Sequence, residues 1–203
     1  FRQFAFGRSL MKDLPYLRTD AQGDPAGPHV IMLSGSNWAE GSYEYHINRP
    51  VNYILEADGE KRAFLEKTRF FESGFPERIS GASDDRRMVQ LRSATERTVD
   101  LIVREYERRA GKILLVVNSY VQAQEVQRTL ETALRKVNCP AQVCRMIFDA
   151  VSSENVQGTV RRGEVSRFAG MKEEILIAPA MAIERGHNIV DEYGHSALCA
   201  VFF

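Results

Sequence analysis

Ile113-Leu114-Leu115-Val116-Val117-Asn118-Ser119-Tyr120-Val121-Gln122 is the stretch on which the fold turns. Five apolar residues in succession are the pattern of a central strand of a parallel sheet, covered on both faces. Asn118 and Ser119 follow without a spacer, and Ser119 with Gln122 makes an S-x-x-Q capping box. A helix therefore starts at once, with Ala123, Val126, Leu130, Ala133, Leu134 and Val137 on its apolar face. Strand, tight turn and helix in that order are half of a βαβ unit.

The same rhythm extends in both directions. Upstream, Ser83-Asp84-Asp85 opens a long helix that runs to about Arg109. A serine at the start and acids in the first turn suit the free N–H groups and the helix dipole. Met88, Leu91, Thr95, Thr98, Ile102 and Tyr106 share one face of it. Downstream, residues 141–147 form a strand, and a polar loop leads to a short helix at residues 164–168. Residues 174–178 form another strand that Pro179 terminates, and residues 197–203 form the last. The expected fold class is α/β, with a mostly parallel sheet and helices on both faces. Nearer the start, residues 18–28 form a polar loop. Residues 29–33 form a short buried strand closed by a Ser34-Gly35-Ser36 turn. A long polar and aromatic loop covers residues 37–48, an outer strand residues 51–56 and a short helix residues 63–71.

Composition limits the function classes. The chain has 203 residues, with 27 basic and 27 acidic side chains and 44% hydrophobic residues, as in an ordinary globular protein. A uniformly basic coat for nucleic acid is excluded, although a local basic groove is not. Arginine outnumbers lysine, 21 to 6, which suits phosphate or stacking contacts but also follows from base composition alone. Cys139, Cys144 and Cys199 are few, odd in number and set among apolar residues. They read as reduced core thiols of a cytoplasmic protein and not as a disulfide frame or zinc site. No apolar run reaches the ~18 residues of a membrane span, so no membrane partner is expected. The opening at Phe1 and the apolar end Ala200-Val201-Phe202-Phe203 look like cuts through a longer polypeptide.

Ligands of open parallel sheets bind beyond the C-terminal ends of the strands. The informative residues are therefore Ser34–Ser36, Asn118, Ser119 and Tyr120, and the segment from Pro179 and Ala180 to Arg185-Gly186-His187-Asn188. Gly186 permits close backbone approach or positive φ, and Asn188 both donates and accepts. Taken alone, that last segment reads as a loop shaped only for packing.

The order of these segments resembles the superfamily 2 helicases and translocases. Leu33-Ser34-Gly35-Ser36 is similar to motif III, usually S-A-T or S-G-T, at the end of the first RecA-like lobe. Residues 112–120 resemble motif IV, and Ile183-Glu184-Arg185-Gly186-His187-Asn188-Ile189 resembles the A-A-R-G-x-D-I of motif V. The aromatic loop at 37–48 and the G-H-N variant are similar to the helicase-like proteins of prokaryotic PIWI-associated defence islands, which implies a role in antiviral defence. The resemblance runs from about His29 to Phe203. It implies residues 1–50 as the end of the first lobe with its motif III-like strand, and 51–203 as the second RecA-like lobe, ending before motif VI. It further implies Ser34, Gly35, Ser36, Arg185, Gly186 and Asn188 for ATP-site coupling. Asn118, Ser119, Tyr120, Pro179 and Ala180 are implied for nucleic-acid binding. ATP and Mg2+ are implied as cofactors of the intact protein, and single-stranded nucleic acid, DNA before RNA, and the first lobe as partners.

Departures from the pattern are specific. Asn188 stands where the family often has Asp, and Pro179 stands near the usual Thr of motif V. No G-x-x-x-x-G-K-[ST] occurs. Gly111-Lys112 precedes a strand, whereas a phosphate-binding loop follows one. Asp191-Glu192 lies after the motif V-like segment and not at a strand end. The chain by itself is therefore expected to bind neither ATP nor metal and to be inactive as an ATPase. His46, His187 and His195 lack metal-ligand spacing. Trp38, Tyr43 and Tyr45 could stack on bases, but aromatics in a long loop more often fold back onto the core; Arg161-Arg162 could meet phosphate, but a solvated pair is the default reading. Two other readings stand beside the helicase lobe: a non-catalytic RecA-like nucleic-acid or protein-binding module, and an unrelated α/β enzyme using the same strand-end loops.

Overall fold

The computed structural model describes residues 13–31, 59, 66–72, 83–108, 110–149, 157–183 and 187–203. The chain divides into two compact units, Phe1–Phe70 and Phe71–Phe203.

In the first unit, Pro15 helps to start a 3-10 helix at Leu14–Leu17. The expected loop at 18–28 is a turn organised by one carboxylate. Asp20 Oδ1 accepts the backbone N–H groups of Gln22 and Asp24 at 2.9 and 2.8 Å, and Thr19 bridges to Pro25. His29, Val30 and Ile31 do not form the expected buried strand, and Ile31 is 83% exposed. Apolar sequence becomes a strand only where another element pairs with it and covers it, and no described residue does so here. Residues 32–58, which include Ser34, Gly35, Ser36 and the outer strand, lie outside the described residues. The expected helix at 63–71 is helical at Glu66 and Lys67 but irregular from Thr68 onward, with Phe70 and Phe71 exposed.

The second unit is an α/β fold around one five-stranded sheet. Its elements are α1 (Asp84–Glu107), β1 (Lys112–Val117), α2 (Tyr120–Lys136), β2 (Val143–Ile147), β3 (Thr159–Arg161), a 3-10 helix (Arg162–Gly170), β4 (Ile175–Pro179), a one-turn α3 (Ala180–Ile183) and β5 (Leu198–Phe202). Among the described residues all pairings within the sheet are parallel, and the spatial order is β3-β2-β4-β1-β5. This is the class expected from the sequence and is consistent with a RecA-like domain.

Period-2 alternation along the strands divides the core in two. On one face Ile113, Leu115, Val143, Ile175 and Ile177 meet the buried side chains of α1 and α2. On the other, Leu114, Cys144, Met146, Leu176 and Ala178 meet Val165 and Phe168 of the 3-10 helix, Ala182 of α3 and Ile189. Helical turns thus cover both faces, two long helices on one and short ones on the other.

Handedness accounts for that division. The step from β1 to β2 moves toward the β3 edge, with α2 on the first face. The steps from β3 to β4 and from β4 to β5 move the opposite way, with their short helices on the second face. Opposite directions on opposite faces give these three crossovers the same hand, which is the rule for parallel sheets.

Several local expectations need correction. Ser83 occupies the N-cap of α1, but its side chain makes no capping hydrogen bond. The first turn is held by the Ser83 carbonyl, which accepts from Arg87 N at 2.8 Å, and by the Arg87–Asp84 ion pair at 3.0 Å. The buried stripe of α1 is Leu91, Thr95, Val99 and Ile102. Thr98 is only half-buried and bonds the Ala94 carbonyl at 2.7 Å. Val137 caps α2 from outside its core face and is 48% exposed. The three-residue β3 went unrecognised within a polar stretch. It is an edge strand with one buried side chain, Val160.

The N-terminal end of the sheet holds a half-buried charge. Lys112 Nζ donates to the carbonyls of Met171 and Glu173, the latter at 2.8 Å, and lies 5.1 Å from the centroid of the Phe168 ring. Burial lowers its pKa, against the pull of Glu174 and Glu173. Gly111 sits at φ +153°, and a Cβ there would come within 2.7 Å of the Ala197 carbonyl, which accepts the Lys112 N–H. Gly111-Lys112 is therefore a structural joint between β1 and β5.

The cysteines are free, but they are not alike. Cys144 is fully buried, and burial pushes its thiol up to about 12. Cys199, expected in the core, is exposed on the edge strand β5. Burial raises the Cys199 thiol as well, so shielding makes the difference: an alkylating reagent should modify Cys199 in the folded chain and Cys144 only after denaturation. Mass spectrometry of labelled peptides checks this. Labelling of Cys144 as fast as Cys199 under native conditions would contradict the packing of the second face.

Candidate nucleic-acid interface at the β1–β4 edge

Parallel sheets concentrate their ligand chemistry where consecutive crossovers leave in opposite directions. In this sheet that point lies between β1, whose crossover goes to one side, and β4, whose crossover goes to the other. The two strands are neighbours in register, from Ile113 with Ile175 to Val117 with Pro179. The residues after β1 and at the end of β4 are therefore brought together. They are Asn118, Ser119 and Tyr120 on one side, and Pro179 and Ala180 on the other.

Each is held in a specific way. Ser119 adopts extended backbone at the N-cap of α2, and its Oγ accepts from Gln122 N at 3.2 Å. The Gln122 side chain, itself buried, reaches back and accepts from Asn118 N at 2.9 Å. This reciprocal arrangement is the capping box read from the sequence, with the return bond made one residue earlier than in the standard form. The side chain of Asn118 is left at an exposed position. Tyr120 is half-buried and packs against the second core cluster. Its ring stands edge-on to Phe148, with centroids 6.0 Å apart and planes at 71°. Pro179 is the last residue of β4 and is buried.

A groove of about 500 Å³ opens beside this edge on the second face of the sheet. Ala180 and Asn188 both line it, together with Val116, Ile183, His187 and Phe203. His187 Nε2 makes a 3.0 Å hydrogen bond with the Ala182 carbonyl, which ties the segment after α3 back to that helix. The structure thus brings Asn188 and Ala180 to one groove, and Asn118, Ser119, Tyr120 and Pro179 to the adjoining edge. Arg185 and Gly186, like Ser34, Gly35 and Ser36, lie outside the described residues.

Two residues of the edge were passed over in the sequence. Phe148 follows β2 directly and is 50% exposed. Asp149 comes next, and its Oδ1 accepts the Gly163 N–H at 3.0 Å. The available signal was position alone: both follow an apolar strand, as do the residues after β1 and β4.

Asn118, Ser119, Tyr120 and Asn188 are neutral, so this edge offers hydrogen bonds, an aromatic ring and the N–H groups of a helix start. It offers no charged cradle of its own. Among the described residues no group of three or more His, Cys, Asp or Glu is placed to hold a metal ion. No helix among them is long and apolar enough to cross a membrane. Comparison with protein-family models, with curated proteins and with solved structures finds no match.

Removing the Ser119 hydroxyl leaves a helix-start N–H without its partner. Ser119→Ala should therefore lower unfolding stability by about 1 kcal/mol. Ser119→Asp, which keeps an acceptor at the cap, should restore most of it. Equal denaturant midpoints for the wild type and Ser119→Ala would show that the cap contributes nothing.

Proposed function

We propose that this chain is the second RecA-like lobe, with the end of the first, of a cytoplasmic ATP-dependent helicase or translocase of superfamily 2 type. In this reading the lobe grips single-stranded nucleic acid, DNA in preference to RNA, and completes an ATP site formed with the first lobe. The observation that carries it is the meeting of Asn118–Tyr120 with Pro179–Ala180 at the crossover reversal between β1 and β4. These are the segments whose resemblance to motifs IV and V suggested the family.

The chemistry of the edge fits a strand better than a nucleotide triphosphate. Free N–H groups at the start of α2 suit one phosphate, Asn118 suits a sugar or base edge, and Tyr120 with Phe148 suits a base face. ATP with Mg2+ needs a phosphate-binding loop and a metal-holding acid, and the described residues of this edge supply neither. In the proposal those groups belong to the first lobe. ATP hydrolysis, which drives opening and closing of the cleft, would then need both lobes. Asn188, in the groove next to Ala180, would act there as a neutral hydrogen-bonding partner that couples the nucleotide cleft to the strand.

Two measurements test the reading. Tyr120→Ala should weaken binding of a single-stranded oligonucleotide by about 1 kcal/mol at fixed salt, toward the low end for one aromatic stack. An unchanged isotherm with a lowered melting temperature would make Tyr120 a packing residue only. In a protein carrying both lobes, Asn188→Ala and Arg185→Ala should reduce ATP turnover more than they reduce thermal stability. Full turnover in both variants would remove the coupling role.

A further inference from the structure

Beyond Ile177, β4 keeps one neighbour and loses the other. Its pairing with β2 ends at Arg145 with Ile177, whereas its pairing with β1 continues to Val117 with Pro179. A gap therefore opens between the C-terminal ends of β2 and β4. The Tyr120–Phe148 ring pair spans it, since Tyr120 follows β1, Phe148 follows β2, and β4 lies between them. Between them in strand order, β4 ends at Pro179 and the chain turns into α3 at Ala180.

The surface around this gap is unusual in kind. Phe148 is 50% exposed, Met181 after β4 is 71% exposed, and Val121 after β1 is 64% exposed. Single exposed apolar side chains are ordinary, but these three follow three adjacent strands at the ligand edge of the sheet, where exposed apolar groups suit a contact. Tyr120 is anchored by packing on its core side and Phe148 is not in the core, so the free ring of the pair is that of Phe148.

We infer that Phe148 is a base-stacking residue, with Tyr120 as its fixed edge-on support, and that its ligand is an unpaired nucleobase of a single strand. This inference rests on the proposed function and deepens it by adding a contact and an order along the track. Asp149, whose carboxylate is fixed by the Gly163 N–H, stands beside Phe148 and repels a phosphate there. The N–H groups of α2 on the other side of Tyr120 attract one. The base therefore lies over Phe148 and its neighbouring phosphate lies toward Asn118 and Ser119. A partner ring set at 71° can cover at most one face of Phe148, and the 50% exposure of Phe148 leaves surface available for a planar base.

The test uses the 203-residue chain and fluorescent oligodeoxynucleotides of equal length, one intact and one with abasic sites along its length. Phe148→Ala should weaken binding of the intact strand about fivefold to tenfold, and Phe148→Tyr should restore it. On the abasic strand, wild type and Phe148→Ala should bind alike, because no base is left to stack. Circular dichroism melting of each variant separates lost binding from lost fold. Binding by the wild type that Phe148→Ala leaves unchanged overturns the stacking role alone. An equal loss on intact and abasic strands also overturns it, since the ring would then act by packing. Failure of the wild-type chain to bind any single strand overturns the proposed function and this inference together, and would point to a protein partner for these apolar side chains.

Discussion

The pairing of β1 with β4 is the constraint on which the rest of the second unit depends. Five consecutive register pairs, Ile113 with Ile175 through Val117 with Pro179, join two strands that are apolar on both sides. Strands of this kind cannot face water on either face, because each exposed branched side chain forgoes about 1.5–3 kcal/mol of burial. Cover is therefore required above and below. α1 and α2 provide it on one side through Leu91, Ile102, Leu130 and Leu134. Phe168 and Val165 provide it on the other.

Covering both faces of a parallel sheet with right-handed crossovers forces the chain to reverse direction somewhere. Here the reversal falls between the same two central strands, so the most rigid part of the fold also positions the candidate site. Its two ends have opposite character. The N-terminal end holds the half-buried Lys112 ammonium against carbonyl oxygens and the Phe168 ring. The C-terminal end presents neutral hydrogen-bonding and aromatic groups after β1 and β4, with the Asp149 carboxylate after β2, and is partly open to solvent. A cap such as Ser119 with Gln122 belongs at such an edge because it fixes the direction of free N–H groups without neutralising them.

Burial of Val137 and Cys199 depends on their place in the fold. Val137 and Cys199 were assigned to the interior because they are apolar and lie near periodic positions, yet both lie at the margin of the fold, at the end of α2 and on the edge strand β5. Burial there is decided by what packs alongside and not by the residue itself. Ser83 has the residue type of a cap, but whether its oxygen reaches an N–H depends on the rotamer and the entry path of the chain. β3 was invisible because a three-residue edge strand has almost no periodicity to detect. Phe148 was overlooked because an aromatic after a strand becomes a candidate contact only when another ring is seen across a gap.

The sequence by itself determined the strands β1, β2, β4 and β5, the two long helices, the parallel α/β class and the capping box at Ser119. Each of these follows from periodicity or from contacts within four residues along the chain. It also marked Asn118–Tyr120 and Pro179–Asn188 as strand-end segments. Only the tertiary structure decided the order β3-β2-β4-β1-β5, and with it the adjacency of those segments, the groove that Ala180 shares with Asn188, and the gap spanned by Tyr120 and Phe148. Local sequence carries no record of which strand lies beside which. That choice depends on crossover handedness and on the mutual burial of faces that lie some sixty residues apart, as Ile113 and Ile175 do.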